Sequence, residues 1–346
     1  MPKQAVLLLA HGTPETVEQI PAYLRNVTGG RPLPQEVVEE IQRRYALIGH
    51  SPLTEITLEQ ARLVESELSH PSDKDQPQVL RLAALAQNDS KVGYPGMPVY
   101  AAMRNWHPYI ADVIGQMRAD GVEEAAVLCL APQNSRTSTG LYRRAVEASG
   151  LRIDFTENWA DHPLLIEALA ERLRAAWSKL TAETGSPVPV LFTAHSVPLR
   201  TVQTSEGQTA DPYAKQAKRT ATLVAERVPE IAQWFFAFQS QGASGGPWLG
   251  PTVEEKLGSI AASGATTVLL QPIGFLCDHV EILYDVDIFF RECAKKLNLR
   301  LERPESLNAS PTLAKAIADV ARQGLERLNR GQGSSVLLPS NSAPQR

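Results

Sequence analysis

The sequence predicts an α/β protein built from two similar halves, each a parallel β-sheet flanked by helices. Three observations carry this reading. Short β-favouring runs alternate with helical patterns along most of the chain, which implies parallel strands joined by right-handed helical crossovers. The run Val6–Pro14, V-L-L-L-A-H-G-T-P, has a near copy in Val190–Pro198, V-L-F-T-A-H-S-V-P, so His11 and His195 occupy equivalent places. The run Val127–Pro132, V-L-C-L-A-P, parallels Val268–Pro272, V-L-L-Q-P; both are apolar strands halted by proline. A chain of 346 residues suits two domains. They are drawn at 1–150 and 151–330, with a Gly-, Ser-, Pro- and Asn-rich tail at 331–346 expected to be disordered.

Each element follows from its local pattern. The first strand covers 4–10 and a helix is expected over Glu15–Val27, past His11-Gly12-Thr13-Pro14. Gly29-Gly30-Arg31-Pro32 is a turn. Helices follow at 35–48 and 54–69, split by Gly49-His50-Ser51-Pro52, where Pro52 breaks one helix and Thr54 caps the next. A polar loop at 70–78 leads to strands at 79–86 and 99–103 with a linker, 87–98, between them. The alternation then continues as helix 107–119, strand 125–130, helix 138–149, strand 152–156 and helix 162–183. The second half reads as strand 189–194, helix 211–227, strand 233–239, helix 252–263, strand 266–271, helix 279–296, strand 298–302 and helix 310–329.

The composition, 43% apolar and 21% charged, is that of a globular chain able to bury a sizeable core. The net charge of −4 comes from interspersed signs and leaves no nucleic-acid footprint. No apolar run reaches the length of a membrane span. The chain passes from Met1-Pro2-Lys3-Gln4 straight into a strand, without a signal-peptide pattern, so the cytoplasm is expected. The three cysteines, Cys129, Cys277 and Cys293, lie far apart with no C-x-x-C spacing. Neither a disulfide framework nor an iron–sulfur cluster is expected from them.

The chemistry gathers at strand ends. A lone loop histidine is ordinarily a satisfied polar residue. Two at matching ends of a repeat, where open α/β sheets place their ligands, point to one shared site. The second informative stretch is Gln271–Asp287, Q-P-I-G-F-L-C-D-H-V-E-I-L-Y-D-V-D. A helix starting near His279 puts Glu281 and Asp285 at i and i+4, on one face. Two carboxylates so stacked repel unless they meet solvent, a cation or a shared proton. A solvated acidic helix start accounts for Asp278, but less well for Glu281 among Val280, Ile282 and Leu283.

The stretches A-H-S-V-P and G-F-L-C-D-H-V-E-I-L-Y-D resemble the two signature segments of ferrochelatases, enzymes that insert ferrous iron into a porphyrin. Other segments agree in order along residues 4–329. They are Gly12-Thr13-Pro14; Arg44-Tyr45 with Gly49 and Ser51-Pro52-Leu53; Met103-Arg104-Asn105-Trp106; and Trp159 with His162-Pro163. Asp211-Pro212-Tyr213, Gln239-Ser240, Pro247-Trp248-Leu249-Gly250-Pro251 and Leu307-Asn308 complete the set. The resemblance implies two Rossmann-like, chelatase-like domains with a porphyrin cleft between them. It implies His195 and Glu281 as catalytic residues. His195, Glu281, Asp285 and His11 are its candidate metal ligands, and Arg44 matches a position on the metal or proton path. Ferrous iron is then a substrate and no organic cofactor is needed. The chain departs from the family at three points. His11 stands where a relative has tyrosine in A-Y-G-T-P, and an A-H-G start also resembles the smaller cobalt and sirohydrochlorin chelatases. Phe289 stands where some relatives carry an acid, and His50 replaces a glycine before Ser51-Pro52-Leu53.

These residue types suit metal insertion. A free-base porphyrin must lose two pyrrole protons, and neutral imidazole is poised to take them near pH 7. One histidine with one or two carboxylates makes an incomplete ferrous site that still releases its ion. A wall that favours a bent macrocycle speeds metal insertion; Tyr45, Trp106, Phe275 and Trp248 are candidates, as well as candidate core residues. Propionates call for cations and hydroxyls, supplied by Arg31, Arg44 and Ser51 on one side and Ser135, Arg136 and Thr137 on the other. The expected partners are porphyrin and iron, with no nucleic acid or membrane span, acting as a monomer or weak oligomer. The sequence leans to coproporphyrin over protoporphyrin. A chelatase for another tetrapyrrole or metal, and a non-catalytic tetrapyrrole binder, stay open as alternatives.

Overall fold

The computed structural model describes residues 2–70, 93–202, 210–241 and 246–332. Among them, eight strands form two parallel sheets of one topology. The first holds β1 (Gln4–Ala10), β2 (Val99–Met103), β3 (Glu124–Cys129) and β4 (Arg152–Thr156) in the order β2-β1-β3-β4. The second holds β5 (Val190–His195), β6 (Trp234–Gln239), β7 (Thr267–Pro272) and β8 (Arg300–Glu302) in the order β6-β5-β7-β8. The repeated V-L strands are therefore the equivalent strands β1 and β5. Each lies between its sheet's second and third strand, at the point where the strand order reverses and ligand crevices open.

The helices are α1 (Ile20–Val27), α2 (Gln35–Ile48), α3 (Leu53–Ser69), α4 (Ile110–Ala119), α5 (Thr139–Glu147) and α6 (Pro163–Thr184). They continue as α7 (Tyr213–Arg227), α8 (Val253–Ala262), a π-helix (Glu281–Phe290), α9 (Arg291–Lys296) and α10 (Pro311–Asn329), with a single turn at Leu199–Val202. Their ends follow local chemistry. In α6, Pro163 sits in the first turn, where a missing N–H costs nothing, and Gly185 closes the helix at φ +69°. In α10, the Ser310 hydroxyl accepts from the Leu313 N–H.

Alternation along β1 divides the core. Val6 and Leu8 face inward with Phe192 and Ala194 of β5, sharing one continuous core with α3, α6, α7 and α10. Leu7 and Leu9 face α4 and α5 on the outer side of the first sheet. Leu191, Val268 and Leu270 face α8, the π-helix and α9 on the outer side of the second. Strands buried on both faces read as unbroken apolar runs, which is why V-L-L-L showed no period of two.

Several expectations change. Strand 152–156, assigned to the second half, pairs with β3 in the first sheet, Val127 opposite Phe155. Helix α10 also returns to that sheet: Gly324 lies against Ala126 of β3, and Arg327 pairs with Asp154 of β4. The helix expected from residue 15 begins at Ile20 after a short 3-10 turn, because the Gln19 side chain holds the Glu15 and Thr16 N–H groups in a non-helical entry. The helix expected at 279–296 is a π-helix over Glu281–Phe290. The strand at 79–86, parts of the loop and linker around it, and the tail from 333 lie outside the described residues.

Candidate active site

A cleft of about 300 Å³ opens where the carboxyl ends of the two sheets meet. The first sheet contributes His11, Gly12 and Thr13 after β1 and Arg104 after β2, and α2, α3 and the loop joining them add Tyr45, Ser51 and Gln60. The second contributes His195 at the end of β5 and Val197 just after it, and Phe275, His279 and Glu281 after β7.

His195 is the last residue of β5 and its backbone is held on both sides. Tyr213 donates its hydroxyl to the His195 carbonyl at 2.9 Å. Ser196, fully buried, donates N–H to the Gln239 carbonyl at 2.6 Å and its hydroxyl to the Leu249 carbonyl at 2.8 Å. The imidazole stays about one-third exposed, with Nε2 3.5 Å from Glu281 Oε2. That Oε2 is buried and makes no hydrogen bond. Phe275 packs edge-on against the His195 ring.

Glu281 opens the π-helix, and Asp285 follows it toward Ser240 and Arg44. Ser240, in the left-handed region at φ +60°, donates its hydroxyl to Asp285 Oδ2, and Arg44 Nη1 lies 3.5 Å from Oδ1. Burial, then the charge of Glu281, push the Asp285 carboxyl up to about 6. His279 is half-buried; desolvation lowers it to about 4, and its Nδ1 accepts the Glu281 N–H at 3.2 Å, so the hydrogen sits on Nε2.

His11 is held differently. Asn105 Nδ2, which can only donate, lies 3.0 Å from Nε2. Nδ1 therefore carries the hydrogen, 3.2 Å from the Gly12 carbonyl and 3.1 Å from the Tyr23 hydroxyl. Desolvation among its cleft neighbours, then Arg104, lower His11 to about 3, keeping it neutral. Both ring nitrogens are engaged, so binding a metal requires Asn105 or Gly12 and Tyr23 to release one. Gly12 fixes this corner: φ is +86°, and a Cβ would stand 2.9 Å from the Met103 Cβ and the Trp106 nitrogen.

The structure thus brings His195, Glu281 and His11 to one cleft, with Tyr45, Ser51, Ser135 and Thr137 on its walls. Tyr45 bonds the Thr13 hydroxyl at 3.0 Å, and Ser135 bonds Thr137 at 2.9 Å. Four expected site residues lie elsewhere. Arg31 is exposed and folds onto the Thr28 carbonyl; Trp248 sits beside Pro198 outside the lining; Arg44 and Asp285 lie behind the wall, paired with each other. The four expected metal ligands do not cluster: among the described residues no three His, Cys, Asp or Glu side chains are grouped to hold an ion. Sequence reasoning passed over His279, Asn105 and Arg104 as site residues. Arg104 Nη1 is buried without a hydrogen bond and its guanidinium stacks 5.0 Å from the Tyr142 ring. The signal was available: Arg104-Asn105 directly follows β2, the strand beside β1, just as His11 follows β1.

A base with an adjacent carboxylate, standing in an open cleft between two sheets, is equipped to strip protons from a bound ring. Residues 3–325 match the sequence profile of the family described as Ferrochelatase. The chain belongs to the ferrochelatase family. It is 51% identical to the ferrochelatase of Acidobacterium capsulatum over 95% of this chain and 97% of that protein. It is 30% identical to a coproporphyrin III ferrochelatase of a Geobacillus strain over 92% of this chain and 96% of that one. Among solved structures, the sirohydrochlorin chelatase SirB of Bacillus subtilis subspecies spizizenii, in complex with cobalt, overlays with a TM-score of 0.51 at 13% identity. The overlay covers 96% of this chain and 99% of that one, and shows a shared ferrochelatase–chelatase fold.

Proposed function

We propose that this ferrochelatase inserts ferrous iron into a porphyrin to give a haem and two protons, with His195 as the base and Glu281 as its partner. The observation that carries this is the His195–Glu281 pair, 3.5 Å apart, facing the cleft between the two sheets. The imidazole takes one pyrrole proton while the carboxylate steadies the imidazolium, and takes the second after handing the first to Glu281, leaving nitrogen lone pairs for the incoming iron. Asp285, whose affinity for a proton rises with the charge on Glu281, passes protons or iron onward past Arg44. Neutral His11 and His279 add no positive charge to repel a dication. His11 joins the iron path as a ligand on giving up Asn105.

Coproporphyrin is the favoured substrate in this reading. The relatives named coproporphyrin III ferrochelatases support it, as do the hydroxyls of Ser51, Ser135 and Thr137 and the Arg104 guanidinium, which suit a substrate with several carboxylates. We further infer a monomer or weak oligomer with no organic cofactor, working in the cytoplasm; the free cysteines Cys129, Cys277 and Cys293 fit a reducing compartment. No helix among the described residues is long and apolar enough to cross a membrane. The test is a turnover panel of coproporphyrin III, protoporphyrin IX and sirohydrochlorin against ferrous and cobaltous ions, followed by absorbance. Ferrous insertion fastest with coproporphyrin III supports the proposal; faster insertion into sirohydrochlorin overturns it.

A further inference from the structure

A π-helix ten residues long is an uncommon conformation that turns up at functional sites, so something outside it has to hold it. Here the holder is Arg303, the residue after β8. Its Nε and Nη2 each donate to the Asp287 carboxylate at 2.8 Å. Nη2 also lies 3.1 Å from Asp278 Oδ1, and Nη1 donates to the Pro304 carbonyl and the Ser306 hydroxyl. Asp278 stands three residues before Glu281 and Asp287 six residues after it. One guanidinium therefore grips the chain on both sides of the carboxylate that faces His195.

The grip is continued by the segment that follows. Asp278 accepts from the Ser306 hydroxyl at 2.7 Å and from Asn308 Nδ2 at 2.9 Å, while its N–H donates to Asn308 Oδ1 at 2.8 Å. The Asn308 carbonyl accepts from Gln60 Nε2 at 2.8 Å, and Gln60 lines the cleft from the opposite half. The Arg303 side chain is only 12% exposed, so these pairs work in a shielded setting where a missing counter-charge is costly. None of Arg303, Asp278 and Asp287 lines the cleft.

We propose that Arg303 is a positioning residue for metal insertion: by tying Asp278 and Asp287 to one fork it sets where the Glu281 carboxylate stands relative to His195. This rests on the function proposed above. Without the fork, Asp278 loses the Arg303 charge and Asp287 is left with the exposed Arg291, 3.7 Å away, so the two carboxylates repel each other and the π-turns between them relax, which carries Glu281 away from the histidine. Misplacement of a reacting group by about 1 Å costs about 10²-fold in rate.

The test uses the full-length wild type and the variants Arg303→Met, Arg303→Lys and Asp278→Asn. Each is first titrated with porphyrin, which counts folded sites, and then assayed for kcat per site and porphyrin KM. For Arg303→Met the expected result is one porphyrin per chain, a KM within about twofold of wild type, and a kcat per site lower by about 10²-fold. Arg303→Lys keeps the charge without the fork, and Asp278→Asn removes one of the two gripped charges, so both fall in between. A kcat per site within about twofold of wild type overturns the proposal, and so does a loss confined to porphyrin KM. If Arg303→Met fails to fold, the other two variants decide by the same criteria. A wild type that inserts no iron refutes the proposed function itself, which an inactive variant beside an active wild type does not.

Discussion

Asp285 shows what one residue's surroundings do to its chemistry. Its side chain is 8% exposed, and its carboxyl is held up at about 6 by burial and by Glu281. An unfolded aspartate ionises near its ordinary value, so between the two values the folded state alone keeps the proton. Stability is therefore lost as pH rises toward 6, by about 3 kcal/mol in full. Asp285→Asn removes that dependence. Relative to wild type, the variant is expected to gain about 1–2 kcal/mol between pH 5 and 7.5, read from urea unfolding; a constant difference contradicts the assignment. His195, at a strand end, and Glu281, on the helix after β7, were legible in the sequence as site candidates, and both line the cleft. Arg31 and Trp248 were not, because which way a loop side chain turns depends on contacts such as the Thr28 carbonyl, which no local pattern records. His279 was hidden for a related reason. It lines the cleft beside Glu281, where desolvation keeps it neutral, and desolvation at a helix start is a tertiary fact.

At the level of elements, periodicity located most helices and strands to within a few residues. What it missed was decided by packing. The stretch 281–290 has an ordinary helical composition; its π geometry coincides with the Arg303 grip on residues 278 and 287. Strand 152–156 followed the presumed boundary, but pairing partners are set by the sheet that has a free edge, here β3. Helix α10 likewise returns to the first sheet through a close approach. A Cβ on Gly324 would lie 3.0 Å from the Ala126 Cβ and 3.2 Å from Asp154 Oδ1. Helix propensity favours replacing this glycine by about 1 kcal/mol. The overlap opposes it more strongly, so Gly324→Leu is expected to destabilise by about 1–3 kcal/mol in urea unfolding. A stabilised variant contradicts the close approach.

Across the whole molecule, the internal repeat is the feature that sequence and structure share most fully. Two sheets of the same strand order place their reversal points at one cleft, so His11 and His195 face it from opposite halves. The repeat then diverges in chemistry. His11 is locked between Tyr23, Gly12 and Asn105, while His195 keeps an open imidazole beside an acid. Under the proposed function, one half frames the substrate and the other supplies the base. The two halves also share a core through α3, α6, α7 and α10, which keeps the cleft walls in fixed relation. The most direct measurement compares wild type, His195→Ala and Glu281→Gln in anaerobic insertion of ferrous iron into coproporphyrin III, with porphyrin binding titrated on the same samples. The account expects all three to bind one porphyrin per chain. It expects Glu281→Gln to slow insertion by about 10²-fold or more and His195→Ala to abolish it. Insertion at the wild-type rate by His195→Ala would contradict the account.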